Sequence, residues 1–480
     1  MGVKRWLAVV FLGELALALA GAFVLRQVYR DVELSGPIQG ILYVVTLQPL
    51  PYLLRGVVLA VVGGAVFLYG SYRVVRAIMA PFRGTAGEPP LVEVIYRQRS
   101  RSRGPRIVAV GGGTGLSVLL RGLKEHTSNL TAVVTVADDG GSSGKLRQIL
   151  GIPPVGDIRN CLVALADAEP LMGELLQYRF PVPAAPAGDG TADGTADGGA
   201  DRAADGAASP DPPAVGPAEV EPGLPLSPET AGERWPDPDR LGGHAVGNLV
   251  IAAMTAILGG DFEEGVRQMN RVLAVRGQVL PASSVPLTLH ARLQDGTELV
   301  GQSRIARAAG IQEVWLSPPS VPACTDALAA IAHADAIVIG PGSLFTSILP
   351  ALLIPEIRNA VLTSPALRIY VCNVATQVGE TSGFDLADHV EALERHTAPG
   401  LVDVVLANNR LDARAPQDWR AEPVRLRWPP ATALVPRLVL DDVVDPDNAH
   451  HHDPARLAAA VLRIVEREAG SHRRTTARTA

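Results

Sequence analysis

Residues 106–123 read Arg106-Ile-Val-Ala-Val110, Gly111-Gly112-Gly113-Thr114-Gly115, then Leu116-Ser-Val-Leu-Leu-Arg-Gly-Leu123. The first run is apolar, short and bounded by glycine, which reads as a buried strand. In the last run Leu116, Val118, Leu119, Leu120 and Leu123 recur at helical spacing. A strand, a glycine turn and a helix together aim backbone N–H groups at an anion near the helix N-terminus. The dinucleotide fingerprint needs glycine at position 116, where this chain has leucine. The stretch therefore supports a generic nucleotide or phosphate site better than NAD specifically.

The same grammar continues downstream. A second strand, Thr131 to Val136, leads into Ala137-Asp138-Asp139-Gly140-Gly141-Ser142-Ser143-Gly144. Carboxylates at the C-terminal end of a parallel strand face the ligand crevice of an open α/β sheet. Asp138 and Asp139 suit a ribose or sugar hydroxyl, or a magnesium ion held through oxygen ligands; the alternative is a solvated Asp-Gly turn. Gly156-Asp157-Ile158-Arg159-Asn160 opens a helix, with Asp157 read as its cap. Gly243-His244-Ala245-Val246-Gly247-Asn248 leads into another, and His244 is either a proton carrier, a phosphate donor or a packing residue. Ala336 to Ile339 runs into Gly340-Pro341-Gly342-Ser343, a second strand, glycine turn and helix whose freed N–H groups suit a second phosphate. Ile369 to Cys372 ends in Asn373, Thr376, Gln377 and Glu380, where a ligand at the strand ends would meet them. Strands alternating with helices, each ending in a Gly- or Asp-rich turn, indicate a doubly wound sheet. No metal triad, nucleophile elbow or lysine-bearing phosphate loop appears, and neither Ser117 nor Ser343 has an evident base.

Outside this body the chain changes character. Mean hydropathy is +0.19 although the whole 480-residue chain carries a net charge of −6. The apolar excess lies in Leu7 to Leu25 and Gly56 to Tyr72, each about long enough to cross a hydrocarbon core of ~30 Å. We read residues 1–78 as a two-helix transmembrane hairpin, with the proline-bearing stretch Leu34 to Leu54 a re-entrant or surface-lying segment. The alternative for the first segment is a cleaved signal peptide ending at Ala18-Leu19-Ala20. Eight arginines between Arg73 and Arg106 face only Glu88 and Glu93, which places the following domain in the cytoplasm. Residues 79–104 form a basic juxtamembrane linker, and 105–470 the main domain, with a frayed tail at 471–480. Within it, residues 181–240 hold twelve acidic and three basic residues and almost no large apolar ones, the composition of a disordered insert. Without that insert the net charge is +3, too little to indicate nucleic acid. Cys161, Cys324 and Cys372 are far apart, which excludes a disulfide framework and suits a reducing compartment.

Six ordered blocks, Gly111 to Gly115, Val136 to Gly144, Gly156 to Asn160, Gly243 to Asn248, Gly340 to Ser343 and Thr376 to Thr381, resemble those of the CofD/YvcK-like family. The likeness is closer to its YvcK branch, the gluconeogenesis factors. The resemblance implies a Rossmann-like three-layer doubly wound fold and a regulator of cell shape on gluconeogenic carbon sources. It implies UDP-sugar ligands such as UDP-N-acetylglucosamine or UDP-glucose, a cell-wall synthesis or regulatory protein partner and a homo-oligomer. The other branch comprises 2-phospho-L-lactate transferases, which move a phospholactyl group from a nucleotide diphosphate donor onto a deazaflavin. Carried over, Gly111, Gly112, Gly113, Thr114 and Gly115, with Gly340, Gly342 and Ser343, become diphosphate cradles. Asp138, Asp139, Asn160, His244, Asn248, Asn373, Thr376 and Gln377 then line the crevice. Ala245 and Ala375 depart from the residues usual in the branch. The insert and the N-terminal hairpin are additions to its soluble members.

Overall fold

The computed structural model describes residues 101–167, 170–181, 241–412 and 421–479, together with isolated positions between 51 and 69. Both expected membrane segments lie outside or largely outside the described residues, as does the acidic insert. Contacts divide the chain into two units, Met1–Ile95 and Tyr96–Ala480, and the account below concerns the second.

Seven strands form one parallel sheet: β1 (Ile107–Gly111), β2 (Leu130–Val134), β3 (Gln278–Pro281), β7 (Ala336–Ile339), β8 (Leu367–Val371), β9 (Val404–Asn408) and β10 (Arg437–Asp441). Their order is β10-β9-β8-β7-β1-β2-β3. The chain moves one way from β1 to β3, then restarts at β7 beside β1 and moves the other way. The β1/β7 junction is thus the topological switch point, where an open α/β sheet leaves a crevice at its strand C-termini. An antiparallel sheet of β4 (Thr288–Leu293), β5 (Glu298–Val300) and β6 (Ile311–Ser317) is inserted between β3 and β7.

The helices are α1 (Gly113–Leu123), α2 (Gly141–Leu150), α3 (Gly156–Leu165), α4 (Pro170–Gln177), α5 (Val246–Ile257), α6 (Phe262–Val272), α7 (Gln302–Ile305), α8 (Thr325–Ala332), α9 (Leu349–Leu352), α10 (Pro355–Thr363), α11 (Leu386–His396) and α12 (Pro454–Thr479). A π-helical turn, Leu344–Ile348, runs directly into α9. Right-handed crossovers that advance in opposite directions from the switch point place α1 and α10 on opposite faces, giving three layers.

The first helix shows why the sequence folds this way. Leu116, Leu119, Leu120 and Leu123, the spacing that marked α1, are all 0 % exposed. Burial of each contributes about 2 kcal/mol. On the opposite side of the sheet junction, Leu344, Phe345, Ile348, Leu349 and Leu352 are also fully buried. This bent apolar pair with α10 is domain core. Among the described residues no single helix is long and apolar enough to cross a membrane.

Candidate functional site

The two glycine turns meet backbone to backbone. A Cβ on Gly115 would lie 2.7 Å from the Pro341 carbonyl oxygen and 3.0 Å from Gly342 Cα. A Cβ on Gly111 would lie 3.8 Å from Gly340 Cα. Gly113, at φ +68°, and Gly340, at φ +79°, adopt left-handed backbone that favours glycine. Asn373 staples the second turn from β8, accepting from Gly342 N–H at 3.2 Å and donating to the Gly342 carbonyl at 2.9 Å. Gln377 donates to Ser343 Oγ at 2.8 Å.

The helix N-termini behind these turns are already engaged. Asp157 accepts from Gly113 N–H, the first residue of α1. Burial, then the charge of Asp138, pushes the Asp157 carboxyl up to about 7. The expectation that Asp157 caps its own helix is therefore corrected: the N-cap of α3 is Val155, without a side-chain cap, and the aspartate reaches across to α1. Glu380 accepts from Phe345 N–H at 2.6 Å, Thr346 N–H at 3.0 Å and Thr346 Oγ1 at 3.0 Å. The N–H groups expected to be freed for a second phosphate after Ser343 are thus held by a buried carboxylate.

Asp138 and Asp139, adjacent in sequence, do different work. Asp138 accepts from Gly140 N–H at 2.9 Å, and burial raises its pKa despite that bond and one from Ser143. It faces Asp157 and Arg159 and keeps part of its surface open in the crevice. Asp139 turns away and accepts from Ser303 N–H at 2.8 Å, tying the start of α7 to the end of β2.

A second polar group gathers α2, α3 and α5. Ser142 Oγ accepts from Asn248 Nδ2 at 2.9 Å and from Ala245 N–H at 3.4 Å. Its own hydrogen therefore goes to His244 Nδ1, 3.1 Å away, which assigns the imidazole proton to Nε2. Burial, then Lys145 and Arg179, hold His244 below its usual pKa, which favours the neutral ring. Arg159 donates to Asn248 Oδ1 at 3.1 Å and to Asn160 Oδ1 at 2.8 Å. Ser142 and His244 are both buried, and the serine oxygen already accepts two donors, so the pair is a structural joint and not an activated nucleophile.

The expected residues thus fall into three connected groups. Gly111–Gly115 and Asp138 join Asp157; Asn160, His244 and Asn248 join Ser142 and Arg159; and Gly340, Gly342 and Ser343 join Asn373 and Gln377. Gly113, Thr114, Gly115, Asp138, Asn160, Gly342, Ser343, Asn373 and Gln377 all retain exposed surface. Thr376 stands apart: its backbone and hydroxyl pair with Glu422 at 2.8 and 3.1 Å. Arg159 and Ser142 carried no role in the sequence reading, although both lie inside blocks it identified. Among the described residues no group of three or more His, Cys, Asp or Glu side chains is placed to hold a metal ion. A depression of about 260 Å³ lies at the opposite end of the sheet, among Arg106, Ser128, Leu130, Gln278 and His333. It shares no residue with the crevice, where the polar groups converge.

A doubly wound parallel sheet whose glycine turns meet at the switch point defines the class as Rossmann-like α/β. The chain belongs to the CofD family: the family model described as 2-phospho-L-lactate transferase CofD matches residues 107–426. It is 39 % identical over 473 residues to the "Putative gluconeogenesis factor" of a Nostoc species, covering 96 % of this chain and 90 % of that one. It is 38 % identical over 375 residues to the gluconeogenesis factor of Bacillus subtilis, covering 75 % and 98 %. A crystal structure of a UPF0052-family protein from Bacillus halodurans is 39 % identical, with a TM-score of 0.58, covering 75 % of this chain and all of that one.

Proposed function

We propose that this chain is a membrane-tethered regulator that binds a UDP-sugar in the switch-point crevice and relays its level to cell shape and cell-wall synthesis during gluconeogenic growth. The observation that carries the reading is the convergence of partly exposed polar residues from separate motifs on one crevice. The names of the Nostoc and Bacillus relatives support the gluconeogenic context. Asp138 is the carboxylate available for a ligand hydroxyl, and it would supply an oxygen ligand if magnesium accompanies the nucleotide. Tethering rests on the two apolar segments and the arginine run after them. Leu54, Val57, Val61, Ala65 and Tyr69 are helical at spacings of three or four. Four of these, all but Ala65, are at least half exposed, as lipid-facing residues of a hairpin would be. A protein partner and self-association complete the proposal.

Isothermal titration of the full-length protein in detergent with UDP-N-acetylglucosamine tests it. Saturable binding that is lost in Asp138→Ala supports the reading; no heat with folded protein contradicts it. The family description favours a second reading, a transferase of the 2-phospho-L-lactate type. That reading requires turnover of a nucleotide-diphosphate-linked phospholactyl donor with the deazaflavin acceptor and magnesium, and absence of product under those conditions excludes it.

A further inference from the structure

The ligand's anionic group has been expected at the glycine turns, yet both turns already face carboxylates. Asp157 holds the first N–H of α1, and Glu380 holds Phe345 and Thr346 N–H. Gly342 N–H is held by Asn373. A diphosphate pressed into either turn would displace one of these bonds, and at the helix N-termini it would crowd a buried carboxyl.

The cations lie elsewhere. Arg159 is 7 % exposed and forms no ion pair with any described carboxylate. Its Nη1 and Nη2 each reach one neutral asparagine, and Nε has no hydrogen-bond partner. Asp157 and Asp138 lie near enough to act on its charge, but neither is in direct contact, and a buried guanidinium whose hydrogen bonds go only to neutral amides is costly to maintain. Burial accordingly pulls its pKa down to about 10. Gly247 makes room for the side chain, since a Cβ there would lie 2.8 Å from Arg159 Cγ and Cδ. Arg179 adds positive charge to the same corner. It is held there by the Arg179–Ala245 bridge and by its bond to the Gly243 carbonyl at 3.3 Å. Lys145, exposed on α2, faces His244 together with Arg179. Neither Arg179 nor Lys145 pairs with a described carboxylate.

We propose that the corner built by Arg159, Arg179 and Lys145 around His244, and not the glycine turns, receives the diphosphate of the bound nucleotide. His244 presents a neutral Nε2–H donor to the same group. The turns then serve as the close-packed floor of the crevice. The proposal rests on the nucleotide reading above and deepens it.

Titration of full-length protein with UDP, with uridine and with inorganic pyrophosphate separates the two. Failure of wild type to bind any of them would count against the nucleotide reading itself. If wild type binds UDP, Arg159→Gln is expected to weaken UDP by about 30-fold or more, the loss of a charge-assisted contact. It should leave uridine unchanged and abolish competition by pyrophosphate. Because a buried arginine can matter for folding, the exposed pair Lys145→Gln with Arg179→Gln is the second variant. It is expected to weaken UDP several-fold and to flatten the dependence of affinity on salt. Unchanged UDP affinity in both folded variants overturns the proposal.

Discussion

At the scale of single residues, three carboxylates each cap a helix that is not their own. Asp157 reaches α1, Asp139 reaches α7 and Glu380 reaches the turn at Phe345. A local reading can see Asp157 at a helix start, but not that its carboxyl bridges to a neighbouring element. Asp139 illustrates the consequence. It is expected to be dispensable for binding and to cost about 1 kcal/mol when changed to alanine, the value of a lost cap. Urea denaturation, with ligand titration beside Asp138→Ala, which should lose binding, checks this. Glu380 makes a pH prediction. Burial pushes its carboxyl from 4.5 up to about 7, so the folded chain retains a proton that the unfolded chain has lost across that window. The associated stability is fully present below about pH 4.5 and lost as pH rises through about 7. Between about pH 5 and 7.5 the wild-type denaturation midpoint should therefore fall relative to that of Glu380→Gln. Parallel curves would contradict the assignment.

At the scale of elements, periodicity made much of the sheet legible. The apolar runs at β1, β7 and β8 lie within a residue or two of where the sequence places them, because a fully buried parallel strand has few alternatives. The second strand was expected to reach Val136 but ends at Val134. Thr135 still donates its N–H to the Gly111 carbonyl at 2.9 Å, so an apolar run outlasts the ladder. The small antiparallel sheet was not identified, although Leu289 and Ala291 are buried and alternate with His290 and Arg292. Such alternation is short and sits among loops. The meeting of the two glycine turns had no local signal at all, since it depends on β7 returning to lie beside β1. Gly115 tests that meeting. Gly115→Val should wedge the turns apart, costing about 1–3 kcal/mol of stability and weakening ligand binding at least tenfold. A fully stable variant with unchanged affinity would show that the contact is incidental.

At the scale of the whole molecule, a sheet of buried strand residues on either side of the switch point supports a rim of partly exposed polar ones. The fold class was legible because each motif repeats one local grammar. Which side chains share a corner was not, because Arg159 and His244 are brought together only by folding around the insertion between them. The N-terminal segments make a separate prediction. The full chain should sediment with membranes and resist carbonate extraction, and a chain lacking residues 1–78 should not. Release of the intact chain by carbonate would remove the tether from the account. The central claim is that ligand occupies the switch-point crevice, and hydrogen–deuterium exchange of the full-length protein with and without UDP-N-acetylglucosamine tests it most directly. The account predicts slowed exchange in peptides spanning residues 111–117, 138–144 and 156–160, with no change around Ser128–Thr131 and Gly277–Gln278 at the opposite sheet end. Protection confined to that opposite end, or none at saturating ligand, would contradict it.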